Sequence, residues 1–265
     1  MRLDPAAAAA GFGLSAHETL TSTNAEALAV ARRGGVKPLW VTAQQQTAGR
    51  GRRGREWISE PGNLYATLLL VDPARPEVAP ELSFVAGLAV HDAIGACAPA
   101  LAERLALKWP NDVLCGGRKL AGILIESEIV DAKLSVAVGI GVNCTRHPAQ
   151  TSFPATDLAE AGANVSAERL FSALSRAMTR RLDEWRRGGF PSIRADWLER
   201  ATGIGGEMLV RLPGRELSGR CEALDDKGRL LLRLADGAME TIAAGDIFPV
   251  AQRQPVVRLP RGRAD

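Results

Sequence analysis

Cysteine is scarce and scattered. Cys97, Cys115, Cys144 and Cys221 form no CxxC pair. Metal-ligand spacing is therefore absent, and a disulfide framework does not suit a chain of 265 residues. A reduced, cytoplasmic setting is expected. No uninterrupted apolar stretch approaches the ~18–20 residues that cross a bilayer. The opening MRLDPAAAAAGFG holds only a short, weakly apolar alanine run behind Asp4 and Pro5, which reads as a flexible N-terminus and not as a signal peptide. No internal repeat occurs. There is no GxxxxGK[ST], so a Walker-type phosphate loop is excluded. The net charge is only +3, so composition by itself does not point to nucleic acid. Length and composition suit one large soluble domain, alone or with a small appendage.

What the chain does have is charge in a few places. In QTAGRGRRGREW (residues 46–57), Arg50, Arg52, Arg53 and Arg55 sit among Gly49, Gly51 and Gly54. This is cationic charge on a backbone with few steric limits. A second basic run occupies 258–263. Thr23 and Glu26 have capping-box spacing, predicting a helix from the TSTN segment to Gly34-Gly35. LWVTA (39–43) and NLYATLLLV (63–71) read as strands entering and leaving the Gly/Arg loop, and 81–98 as a helix. Four short apolar runs follow, at 105–109, 113–115, 121–129 and 134–142, with turns at Asn111-Asp112, Gly116-Gly117 and Asp131-Ala132. Strands succeeding one another without helices predict an α+β fold with an antiparallel core. A helix over 167–187, capped by Ser166 and stopped by Gly188-Gly189, buries Leu170, Leu174, Met178, Leu182 and Trp185. A shorter helix follows over 193–200. From about residue 202, short strands and PGR, DDKG and ADG turns predict a β-barrel of about 45 residues packed on the main domain. The tail at 251–265 is expected to be disordered.

The glycines at 49, 51 and 54 satisfy the dinucleotide-binding spacing, but residues 55–63 should not form the helix that this fingerprint requires. Two readings of the loop remain: a basic loop that is solvated or holds RNA, and a lid whose guanidiniums grip anionic oxygens. Lys108 ends an apolar strand beside Trp109-Pro110. It is either a surface lysine or a fixed cation near a reacting phosphate. Asn111 and Asp112 either form the turn or reach nucleotide, Mg²⁺ or substrate. Arg118 and Lys119 either turn a hairpin or add charge at a triphosphate. Gly139 and Gly141 either let backbone approach a ligand or serve tight packing, and Asn143 follows them. Ser22, Thr23 and Asn24 suit any helix start, and equally suit a small polar ring such as a ureido group.

TSTN, QTAGRGRRGREW, PGNLY, KWPND, RKLAGIL and VGIGVN occur in that order between Thr21 and Asn143. In this combination the chain resembles the catalytic domain of the biotin–protein ligases. Its last strand-rich segment is more weakly similar to the SH3-like C-terminal domain of that family. The resemblance implies a class II synthetase-like catalytic domain (1–201), in which helices flank a mixed or antiparallel sheet, and a small SH3-like β-barrel (202–250). It implies that biotin and ATP, with Mg²⁺, give biotinyl-5′-AMP, and that a lysine of a biotin carboxyl carrier protein then takes the biotin. By motif position, Ser22, Thr23, Asn24, Gln46, Arg50, Gly51, Arg52 and Lys108 would contact biotin, with Lys108 and Arg52 catalytic. Arg55, Trp57, Asn111, Lys119 and Asn143 would serve the nucleotide, and Asp112 is a candidate Mg²⁺ contact. The carrier expected is that of acetyl-CoA carboxylase or a related carboxylase. About twenty residues precede the TSTN motif, too few for a helix-turn-helix, so no DNA partner is expected. No membrane partner is expected either, and a homodimer is left open. The rivals are a lipoate– or octanoate–protein ligase and a non-catalytic RNA-binding module.

Overall fold

The computed structural model describes residues 1–149, 151 and 153–249; the tail expectation for 251–265 lies outside them. The chain opens with α1 (Pro5–Ala9), capped by Asp4, and β1 (Gly13–Leu20). Both replace the flexible N-terminus expected from composition. The alanine run is tied down because β1 pairs in parallel with β2 (Leu39–Gln46), Ser15 opposite Val41. Between them runs α2 (Thr23–Arg32). Its cap is Ser22, one residue before the expected Thr23, with extended backbone and its hydroxyl accepting from the Ala25 amide. Gly34, at φ +85°, supplies the left-handed turn that ends the helix.

β3 (Leu64–Val71), α3 (Leu82–Cys97), β4 (Leu105–Lys108), β5 (Asp112–Cys115), β6 (Arg118–Val130) and β7 (Lys133–Val142) follow. The seven strands form one sheet in the order β1-β2-β3-β7-β6-β5-β4. Every pairing except β1–β2 is antiparallel. This matches the α+β expectation, with one parallel pair at an edge. Period-2 alternation sorts the two faces. Trp40, Leu68 and Leu70 join the large core under α3 and α4 (Ala167–Glu199), while Val41 and Leu69 meet Ala27, Leu28 and Ala31 of α2. α4 is broken at Gly189 (φ +66°, ψ −171°), just before Pro191, as the Gly188-Gly189 stop predicts.

β8 (Glu207–Leu212), β9 (Arg215–Leu224), β10 (Leu230–Leu234), β11 (Met239–Ile242) and β12 (Asp246–Pro249) form a second sheet, in the order β11-β10-β9-β8-β12. No pairing joins β11 to β12 among the described residues, so the closed barrel expected from the sequence is instead an open antiparallel sheet. It is docked on the first domain. The Trp109 indole donates to the Gly228 carbonyl at 2.9 Å, and Arg194 donates to the Leu224 carbonyl at 3.0 Å. A Cβ on Gly228 would lie 2.7 Å from the Phe84 ring.

One buried cation holds the helical layer. Arg181 reaches Asp92 on α3 (2.8 Å), Glu184 (2.8 Å) and Asp196 beyond the break in α4 (2.5 Å). Burial would raise the Asp92 carboxyl, but His91, Arg181 and Arg180 outweigh it and hold it well below the usual carboxylate range. Arg181→Met should lower the free energy of unfolding by about 2–3 kcal/mol, because it strands those carboxylates. Urea denaturation followed by circular dichroism measures this; a loss no larger than that of an exposed ion pair would contradict it.

Candidate functional site

A cavity of about 380 Å³ opens over the sheet beside the N-terminus of α2. The Gly/Arg loop covers it from one side, and Phe153 and Phe248 of β12 wall the other. Lining it are Ser22, Thr23, Asn24, Gln46, Arg50, Gly51, Arg52, Arg55, Trp57, Lys108, Asn111, Asp112, Lys119 and Asn143; Arg118, read beside Lys119, instead pairs with Glu160 at 2.9 Å. They come from segments over a hundred residues apart in sequence. The pocket also has two chemically distinct ends.

One end is neutral. The Thr23 amide and hydroxyl both point to the Gln46 Oε1, at 2.8 and 3.1 Å. Asn24 donates through Nδ2 and accepts through Oδ1 from the buried Thr67 hydroxyl at 2.6 Å. Ser22 uses its hydroxyl as the helix cap, so it serves local structure whatever else it does.

The other end is cationic. Lys108 and Lys119 converge on the carboxylate of Asp112, at 3.0 Å to Oδ2 and 2.6 Å to Oδ1. Lys108 and Asp112 are both buried. Burial would raise the Asp112 carboxyl, but Lys119 and Lys108 overcome it and hold it at about 2. Both carboxylate oxygens lie close to ammonium groups, and Oδ1 is buried without a hydrogen bond of good geometry. Lys108 also lies over the Phe153 ring, 4.5 Å from its centre. Asn111 donates to the Ile123 carbonyl and accepts from Arg52 at 3.1 Å. The Asn143 amide donates to the Thr156 carbonyl at 3.0 Å, tethering the segment that carries Phe153.

The loop closes between the two ends. Arg53 (φ +56°) and Gly54 (φ +70°) make its left-handed turn. Arg52, Arg53 and Arg55 all meet Asp246 on β12, at 3.8, 3.3 and 3.0 Å. Burial pulls the Arg52 guanidinium below its ordinary pKa, against the attraction of Asp246. Of the sequence alternatives for Gly139 and Gly141, the structure shows the tight packing, against two side chains of the site. A Cβ on Gly139 would lie 2.3 Å from the Asn24 Oδ1, and one on Gly141 2.6 Å from the Trp57 ring. The two glycines make room for site side chains. Thr67, Glu126, Phe153, Asp246 and Phe248 were not anticipated. Thr67 and Glu126 sit on strands where nothing local distinguishes them. Asp246 lies far along the chain from the arginines it meets, so no spacing could have revealed it.

The family model "Biotin/lipoate A/B protein ligase family" matches residues 19–143, and "Biotin protein ligase C terminal domain" matches 203–248. A biotin–[acetyl-CoA-carboxylase] ligase of Paracoccus denitrificans is 43% identical over 235 residues, covering 86% of this chain and 96% of that protein. One from Mycobacterium tuberculosis is 37% identical, covering 85% of each. Among solved structures, the biotin protein ligase from Aquifex aeolicus in complex with biotin and ATP superposes with a TM-score of 0.74 at 27% identity, covering 89% of this chain and 97% of that one.

The depressed Asp112 carboxyl has a testable consequence. Its folded pKa lies below its unfolded value of about 3.9, so its stabilisation is complete above that value and is lost as pH falls toward about 2. Asp112→Asn should be less stable than wild type at pH 7 and should lose less stability between about pH 4 and pH 2. Parallel urea titrations across that window check this; equal slopes would show that Asp112 carries no such linkage.

Proposed function

The chain belongs to the biotin–protein ligase family, and from that premise we propose how its pocket divides the work of one reaction between its two ends. The protein is a biotin–protein ligase. It activates biotin with ATP as biotinyl-5′-AMP, releasing pyrophosphate, and passes the biotin to a lysine of a biotin carboxyl carrier protein. A biotin ring offers neutral urea donors and a carbonyl acceptor; its carboxylate and the triphosphate are anions. The observation that carries the assignment is the matching division of the pocket, with Thr23, Asn24 and Gln46 at one end and Lys108, Lys119 and Arg52 at the other.

In the first step a carboxylate oxygen attacks the α-phosphorus and pyrophosphate leaves. Two anions must meet, and pre-positioned cations lower that barrier without reorganising at the moment of reaction. Lys108 and Arg52 are the groups proposed to touch the carboxylate and the adjoining phosphate. Asp112 keeps the two ammonium groups aligned. Asn111, Lys119, Arg55 and Asn143 are proposed for the nucleotide, with Trp57 packing on adenine from its seat against Gly122 and Gly141. Ser22, Arg50 and Gly51 complete the proposed biotin side. In the second step the carrier amine attacks the acyl carbon and AMP departs. A lid held shut over the anhydride excludes water until the carrier arrives.

The proposal extends to Mg²⁺ as a counter-ion of ATP, carried by the triphosphate with Asp112 as a candidate contact, and to a cytoplasmic setting for a protein with four free cysteines. No helix among the described residues is long and apolar enough to cross a membrane. The five-stranded sheet is proposed as an open relative of the SH3-like domain. The residues ahead of Thr21 are committed to α1 and β1, which leaves DNA out of the reading for them. A lipoate or octanoate ligase is disfavoured because an apolar acyl tail offers no hydrogen bond to the polar groups that line the Thr23–Gln46 end.

ATP–pyrophosphate exchange should depend on biotin, with lipoate and octanoate giving background rates; exchange with either of those acids would overturn the substrate. Lys108→Ala should lower exchange by about a hundredfold or more while thermal unfolding shows a folded protein. A variant with wild-type exchange would remove Lys108 from the chemistry. Gly141→Ala, which displaces Trp57, should raise KM for ATP more than KM for biotin. The reverse order would assign Trp57 elsewhere.

A further inference from the structure

The neutral end of the pocket holds a chain of hydrogen bonds, and a residue outside the motifs helps to orient it. Asn24 Nδ2 faces the Leu124 carbonyl at 3.3 Å and Glu126 Oε2 at 2.8 Å. Neither group has a proton to give, so the amide nitrogen must face them. Asn24 Oδ1 then takes the Thr67 proton at 2.6 Å. Thr67 Oγ1, its single proton used on Asn24, has only acceptor capacity left toward Thr23 Oγ1, 2.8 Å away, and the Thr23 hydroxyl proton goes either there or to Gln46 Oε1. At the far end, Gln46 Nε2 donates to Ser59 Oγ at 2.9 Å, and Ser59 donates to the Trp57 carbonyl at 2.9 Å. Gln46 Oε1 therefore faces Thr23. Only the Thr23 hydroxyl proton has a choice of acceptors. The Asn24 amide occupies the space that a Cβ on residue 139 would fill, so glycine there is what admits it.

The same carboxylate grips the lid. Arg50 Nη2 lies 3.1 Å from Glu126 Oε1 and 3.2 Å from Oε2. Arg50 and Asn24 are on opposite sides of the pocket entrance, one on the loop and one on α2. Glu126, on β6, joins them.

We propose that Glu126 is a positioning residue, whose carboxylate, together with the Leu124 carbonyl, fixes the orientation of the Asn24 amide and of the Thr67 hydroxyl behind it, and anchors the lid through Arg50. This rests on the ligase reading, with the cyclic urea of biotin as the ligand of the neutral end. Recognition of the urea and closure over it thus depend on one negative charge that does not line the pocket itself.

Two substitutions separate the roles. Glu126→Gln keeps an oxygen for Asn24 but turns an amide toward Arg50, so it should preserve the Asn24 orientation and release the lid. Glu126→Ala removes both. Pyrophosphate exchange gives KM for biotin, for the cyclic-guanidine analogue 2-iminobiotin and for ATP; release of preformed biotinyl-AMP reports the lid. Losing a charge-assisted bond predicts changes of about tenfold. For Glu126→Ala, KM for biotin should rise by about tenfold, the preference for urea over guanidine should fall, KM for ATP should hold within about twofold, and adenylate should escape about tenfold faster. For Glu126→Gln, only the escape should quicken. Wild-type biotin KM and wild-type preference in Glu126→Ala would overturn the proposal. So would equal rises in both KM values that track a lower melting temperature in both variants. If Glu126→Ala does not fold, Glu126→Gln decides by its release rate, and an unchanged rate rejects the tether. Failure of the wild type to exchange with biotin would instead sink the ligase reading; a working wild type with unaltered variants sinks Glu126 alone.

Discussion

Two ammonium groups, one buried and one half-buried, cannot share a site without a counter-charge, and Asp112 supplies it. With one carboxylate between them at 3.0 and 2.6 Å, two formal positive charges face one negative charge, and the cluster carries a surplus of one. That surplus is what an anionic pair of substrates can use. The β4–β5 turn through Pro110 and Asn111 brings Lys108 and Asp112 face to face as register partners. The β5–β6 turn brings Lys119 back over the same carboxylate. Sheet register and site electrostatics are thus one arrangement.

The pocket's contrast follows from the fold around that cluster. The N-terminus of α2 presents hydroxyls and an amide, which are uncharged and directional. The hairpin of β6 and β7 runs beneath both ends, and its two glycines seat Asn24 and Trp57. Such close approach fixes side chains by contact with backbone, which does not repack. A site built this way discriminates by leaving wrong ligands with unpaired polar groups more than by adding attraction to the right one.

Much of this was legible in the sequence because it is local. The strands from Leu64 to Val142 followed from apolar runs and turn residues, and the break in α4 from Gly188-Gly189. Most of the motif residues proved to line one cavity because each is tied to a strand end or helix start. What escaped was long-range or cooperative. The alanine-rich opening has no strand signature, and β1 forms because β2 offers it an edge. The small sheet shows every strand and turn of a barrel, but closure depends on β11 meeting β12, which no local pattern encodes. Asp112 read as a turn former or a contact to nucleotide, Mg²⁺ or substrate, and its meeting with two lysines emerges only in the fold. Thr67 and Glu126 matter only through partners that are distant in sequence.

The clasp between the Gly/Arg loop and Asp246 ties an early segment to one of the last described strands. During synthesis, a chain grown only as far as β11 already has both ends of the pocket, yet it has no carboxylate to hold the three arginines. Neighbouring guanidiniums without a counter-charge repel one another, so the unfinished molecule holds its loop through Arg50 and Glu126 but lacks this second clasp. The order of translation therefore becomes an order of competence: the groups that bind come first, and the latch that seals them comes last.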